Sequence, residues 1–106
     1  AVSFPNQSRS FDSTRNAVRF WGNDSAMEAS FFVSADALRR LQPGTANDED
    51  SLLRAFDSNR QLIYEIAARI YKRGSRGSYD LDYKLLTIVA LALANERGML
   101  GPTLSA

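Results

Sequence analysis

Any chemistry in this 106-residue chain must be done with carboxylates, guanidinium groups, amines, hydroxyls and phenols, because it holds no histidine and no cysteine. That removes the Ser-His-Asp triad, the usual general base of neutral pH, thiolate nucleophiles and the common zinc ligand sets. The carboxylates gather at Asp48-Glu49-Asp50 and at Asp80 and Asp82. Both groups stand at the start of apolar-periodic stretches, where an acid complements the positive end of a helix without doing chemistry. Asp57-x-Asn59 starts like a calcium loop but has no glycine at the sixth position and no glutamate at the twelfth. Neither a G-x-x-x-x-G-K-[ST] nor a G-x-G-x-x-G phosphate loop occurs. What remains for a small enzyme or ligand-binding domain is Asp, Arg and Tyr. Its mark would be a deep pocket gathering Arg19, Asp57 or Tyr64.

The second chemistry on offer is electrostatic. "YKRGSRGSY" carries Lys72, Arg73 and Arg76 between two tyrosines, and residues 66–76 hold four cations and no acid. Such a patch could meet phosphate backbone or an acidic partner, yet three clustered cations neutralise only a few phosphates. Formal net charge is +1, which gives no global pull toward nucleic acid or membrane. Nonspecific nucleic-acid binding through residues 72–76 is therefore the weakest reading, and compensation of a helix C-terminus the simpler one.

These groups need elements to hold them. The chain suffices for one domain with its own core, with little margin. Alternation in 17–21, with Val18 and Phe20 opposite Arg19 and Trp21, and again in 27–33, reads as an antiparallel hairpin. Gly22, Asn23 and Asp24 supply turn chemistry for a loop of roughly five residues between the two runs. Ser34 is placed to cap a short helix that Pro43-Gly44 ends. A long amphipathic helix is expected over 48–73, capped by Thr45 or Asn47 and stopped by Gly74. Residues 79–82 read as a short strand, a turn or the start of a last helix. That helix is capped by Asp80 or Asp82 and runs to about Glu96, with Gly98 as its C-cap. The expected fold is α+β: an antiparallel hairpin or three-stranded sheet packed against the long helix and an apolar C-terminal helix. Residues 1–10 form an irregular N-terminal segment, 11–98 a single domain and 99–106 a frayed terminus.

Several apolar or awkwardly placed residues point to an interface. Trp21 and Phe32 share the less apolar face of the hairpin, and covering by the helices is the expectation there. Asn59 lies on the apolar stripe between Phe56 and Ile63; it either specifies register in a helix pair or sits at the stripe's edge in solvent. From Leu85 to Ala94 only Thr87 is polar. That run is about half of the roughly 20 residues a membrane span requires. Leu86, Val89, Leu91 and Leu93 surround most of such a helix, more than one hairpin and one helix can cover. A second copy of the chain is the simplest partner.

The stretches "SFPNQSRSFDSTRNAVRFWGNDSAMEASFFVSADALRRL", "LLRAFDSNRQLIYEIAARIYKRG" and "GSY" resemble a small bacterial family known as domain of unknown function 1488, over about Ser3 to Tyr79. The FPN start, the RFWG hairpin and the AFDxNR…RIYxRG helix carry the resemblance. It implies a compact cytoplasmic α+β domain and no established activity, hence no catalytic residue. The chain continues past "GSY" with "DLDYKLLTIVALALANERGML", which is similar to the closing helix of small Z-ring-associated cell-division proteins that dimerise through helices. Either the chain is a divergent member with an added helix, or its C-terminus has a different origin.

The expectation is thus a bacterial, cytoplasmic, non-enzymatic interaction module that self-associates as a homodimer and has room for a further protein partner. No cofactor, metal or membrane is expected, and nucleic acid is disfavoured.

Overall fold

In a computed structural model of the chain, residues 1–73 and 76–98 are described. The elements run β1 (Arg9–Asp12), β2 (Ala17–Asp24), β3 (Met27–Ser34), α1 (Ala35–Leu41), α2 (Glu49–Ser58), α3 (Arg60–Ile70), β4 (Ser78–Leu81) and α4 (Tyr83–Glu96). Sheet order is β1-β2-β3-β4. The first two pairings are antiparallel, and β4 joins β3 in parallel. A parallel neighbour cannot be reached by a tight turn; the chain must cross over through other structure, here α1, α2 and α3. The fold is α+β with a four-stranded mixed sheet, one strand more than the widest sheet expected from the sequence.

The hairpin alternation holds, but its loop is shorter than the turn chemistry suggested. Asp24 pairs directly with Met27, leaving only Ser25 and Ala26 in the loop, with Ser25 in the left-handed region at φ 56°. Gly22 and Asn23 belong to the strand. Gly22 is glycine for close approach: a Cβ there would lie 2.7 Å from Val2 Cγ2 and 2.8 Å from Phe4 Cε1. The N-terminal segment reaches this spot because Ser3 and Asn23 exchange two backbone hydrogen bonds, at 2.9 and 2.8 Å. Asp24, buried at the strand's end, accepts from the Tyr71 hydroxyl at 3.0 Å. Strand β1 begins at Arg9, inside the segment expected to be irregular.

The inner face of the sheet carries a row of rings. Phe20 stacks on Phe31 and Phe31 on Tyr79, each pair at 5.2 Å and 18°, so the row crosses β2, β3 and β4. Val18, Val33 and Leu81 complete that face, and Leu38, Leu52, Phe56, Ile63 and Ile66 close over it from the helices. Aromatic pairs of this kind add about 0.5–1.5 kcal/mol to their area burial.

Capping residues set the helix starts. Ser34 accepts from Ala37 N–H at 3.0 Å, Asp48 from Ser51 N–H at 2.8 Å and Asp82 from Leu85 N–H at 2.8 Å. Asp48, rather than Thr45 or Asn47, therefore caps α2. The expected long helix is interrupted at Asn59 and ends at Ile70. Asn59 Nδ2 donates to Ala55 C=O at 2.8 Å, competing for the carbonyl that its own backbone N–H also reaches at 3.2 Å. Its backbone leaves helical geometry at φ −113°, ψ 16°. The α4 helix runs to Glu96 as expected and rests against α1 and α3. Gly98 follows the Arg97 cap at φ 71°. The stop expected at Gly74 and the fraying expected over 99–106 lie outside the described residues.

Candidate functional site

The residues singled out as an interface fall into three separate places. On α4, Leu86, Val89 and Leu93 turn inward and are 2–8% exposed, so they belong to the chain's own core. Their periodicity matches a helix seated on α1 and α3, which covers more of α4 than the sequence argument allowed. The outward stripe is Lys84, Ile88, Leu91, Ala92 and Asn95, with Ile88 66% and Leu91 53% exposed. Of the four α4 candidates only Leu91 lies on that stripe. Beside it a shallow groove of about 260 Å3 runs between α1 and α4, lined by Leu41, Tyr83, Thr87 and Ala90 among others.

The outer face of the sheet holds Trp21 and Phe32, and no helix among the described residues covers them, contrary to expectation. All the helical core residues lie on the face of Phe20 and Phe31. Guanidinium groups take the helices' place: Arg15 lies 4.1 Å over the Phe32 ring, and Arg19 4.8 Å over Trp21 and 5.6 Å over Phe32. Phe32 is only 7% exposed beneath them. Arg15 is also paired with Asp80 at 3.3 Å, and Arg19 Nη2 donates to Ser30 Oγ at 2.9 Å. Arg19 Nε is buried without a hydrogen-bond partner among the described residues.

Asn59 is half-buried inside the molecule, where its side chain also reaches Gln42 Oε1 at 3.2 Å. It stands where α2 gives way to α3. The basic residues are tied down as well. Arg73 Nε lies 3.5 Å from Asp24, and Arg76 sits 5.7 Å over the Tyr79 ring. The Tyr79 hydroxyl bonds both the backbone N–H and C=O of Lys72, at 3.1 and 2.9 Å. Two of the three cations thus have partners within the chain. Residues 74 and 75 of that loop lie outside the described residues.

A larger hollow lies elsewhere. It measures about 860 Å3, opens to solvent, and lies between the N-terminal segment, the start of β1 and the α2–α3 junction. Asp57 and Tyr64 both line it; Arg19 is on the other side of the sheet. Asp57 takes Arg9 Nε at 2.9 Å and Nη2 at 2.8 Å, and Arg60 Nη2 at 2.6 Å. These bonds, chiefly that from Arg9, hold its carboxyl below the usual carboxylate range. Arg60 Nη1 donates to Tyr64 Oη at 2.7 Å and to the Gln7 carbonyl at 3.2 Å. Tyr64 in turn stacks flat on Phe4, 4.3 Å apart at 5°. Sequence reasoning flagged Asp57 and Tyr64 but missed Phe4, Arg9 and Arg60. The spacing of Asp57, Arg60 and Tyr64 on one helical face was a readable signal for Arg60. Nothing local signals Arg9, which arrives from a strand 48 residues away.

Among the described residues no group of three or more metal-ligating side chains comes together, and no helix is long and apolar enough to cross a membrane. No constellation of nucleophile, base and orienting group is present among the sites described above.

No curated protein matches the chain in sequence. A crystal structure of a protein of unknown function from the DUF1488 family of Shewanella loihica PV-4 matches in fold with a TM-score of 0.67. The alignment covers 76% of this chain and 90% of that one, at 19% identity, so it speaks for the fold alone. The family model described as protein of unknown function (DUF1488) matches residues 2–82, up to the residue that caps α4. With most of its length inside that match, the chain belongs to the DUF1488 family.

Proposed function

We propose that the chain is a non-enzymatic interaction module that pairs with a second copy of itself through the outer face of α4. The observation that carries this reading is the stripe Lys84, Ile88, Leu91, Asn95, apolar at its centre and polar at both ends. Exposed Ile88 and Leu91 lie three residues apart in the middle of a helix. An antiparallel two-fold pairing sets Ile88 of each copy against Leu91 of the other, and each Lys84 against the Asn95 amide. Ala92 on the same face is small enough to let the backbones approach. Two helices alone bury less than the roughly 1,600 Å2 of a standard interface, so the dimer is expected to be weak, in the micromolar range.

Sedimentation equilibrium on the full chain tests this. Wild type should fit a monomer–dimer equilibrium at micromolar concentration. Leu91→Asp should be monomeric while keeping wild-type helical circular dichroism, since Leu91 lies outside the core. A wild type that stays monomeric throughout that range overturns the proposal.

A further inference from the structure

The hollow beside Arg9 is independent of α4 and lies within the part of the chain that the family model covers. We propose that it is a binding site for a small organic anion whose carboxylate or phosphate oxygens are held by Arg9 and Tyr64, with the body of the ligand along Phe4 and Pro5. Four features carry this inference.

The first is volume. About 860 Å3 falls within the range of small-molecule sites, roughly 300–1,000 Å3. The second is charge. Two guanidinium groups and one carboxylate line the wall, leaving one net positive charge. A single arginine would neutralise Asp57; the other is in excess of what the ion pair requires.

The third is hydrogen-bonding capacity. Asp57 occupies Nε and Nη2 of Arg9 and leaves Nη1 with its donors turned to neither Asp57 nor any other acceptor among the described residues. Arg60 spends Nη1 on Tyr64 and Gln7. Because the Tyr64 oxygen accepts from Arg60, the phenol keeps its own proton for donation, and the adjacent cation strengthens that donor. One guanidinium nitrogen and one phenol, both lining the hollow, offer donors to the oxygens of a carboxylate or phosphate.

The fourth is preorganisation. Arg60 is held at Asp57, Tyr64 and Gln7 with only 14% of its side chain exposed. The Tyr64 ring is fixed by its flat stack on Phe4. A ligand therefore meets donors that are already in place, which lowers the cost of binding. Phe4 and Pro5 provide an apolar wall on which a flat ring can lie.

The test is amide chemical-shift titration of the full-length chain with phenyl phosphate, benzoate and uncharged phenol at constant ionic strength. Saturable shifts confined to residues 4–9 and 57–64, with either anion and not with phenol, support the site. Comparison of the two anions then assigns phosphate or carboxylate as the preferred group. Tyr64→Phe keeps the stack on Phe4 and removes the hydroxyl; it should weaken binding about five-fold, the worth of one hydrogen bond. Arg9→Lys keeps the charge but loses the planar fork, and should weaken it at least as much. The proposal is overturned by shifts that fail to saturate, by shifts of equal size around Lys72 and Arg76, or by unchanged affinity in both variants. Their amide spectra away from the hollow show directly whether each variant is folded.

Discussion

The two faces of the sheet put aromatic rings on the same strands and bury them by different means. On the inner face Phe20, Phe31 and Tyr79 form a stacked row under the helices. On the outer face Trp21 and Phe32, each adjacent in sequence to an inner ring, lie under the guanidinium groups of Arg15 and Arg19. Hydrocarbon covers one row and planar cations the other. A guanidinium is weakly hydrated and stacks on an aromatic face, so it can shield a ring while keeping its own N–H groups near water. Strong burial of Phe32 thus does not require a layer of structure over it. An aromatic residue on the polar side of an alternating strand predicts a cover but does not say which kind.

The largest effect expected from this contrast is on the inner row. Phe31→Ala should cost about 3–5 kcal/mol in urea unfolding, since the cavity opens among rings that cannot collapse into it. A loss below about 1 kcal/mol, the scale of a tolerated core swap, would erase the distinction between the faces.

The outer row should respond less. Arg19→Met keeps the aliphatic cover and removes the cation, and should cost only about 0.5–1 kcal/mol. The orphaned, buried Nε disappears in the same change, which offsets part of the loss. A double-mutant cycle with Trp21→Ala isolates the ring–cation contribution; a coupling indistinguishable from zero means the cover is hydrophobic only.

The smallest effect belongs to the ion pair at the sheet's β1 edge. Asp57 is held below its ordinary value, first by Arg9 and then by Arg60. The stability it contributes is therefore complete above the unfolded carboxylate value near 3.9 and is lost as pH falls through the depressed folded value. With 40% of the side chain exposed, solvent screening keeps that contribution below about 1 kcal/mol. The stability gap between wild type and Asp57→Asn should be constant from neutral pH down to about pH 4 and close below it. A gap that widens under acid reverses the sign and removes the pair as its cause.

Much of the scaffold was legible because it rests on local rules. Alternation at Val18-Arg19-Phe20-Trp21 named both faces, Ser34 and Asp82 were readable as caps, and the apolar run marked α4 to its last residue. The misreadings have one source: a residue type with strong local meaning was used for a distant contact. Gly22 and Asp24 carry turn chemistry, yet one admits Phe4 and the other receives the Tyr71 hydroxyl. The hollow was half visible, through Asp57 and Tyr64, because the Arg9 that completes it is brought in only by the fold.

The crossover between β3 and β4 also orders events in time. Arg15, Arg19, Trp21 and Phe32 all belong to the hairpin region, so the outer face can clothe itself as soon as β2 meets β3. The inner row has less help. Phe20 and Phe31 have only each other and Phe4 until Phe56 and Ile63 have been made and folded back, and Tyr79 joins them last. Contacts between distant parts of a chain form late because long loops must close first. A nascent chain therefore spends its vulnerable interval with one side finished and the other adhesive, and the length of that interval is set by how quickly α2 and α3 arrive.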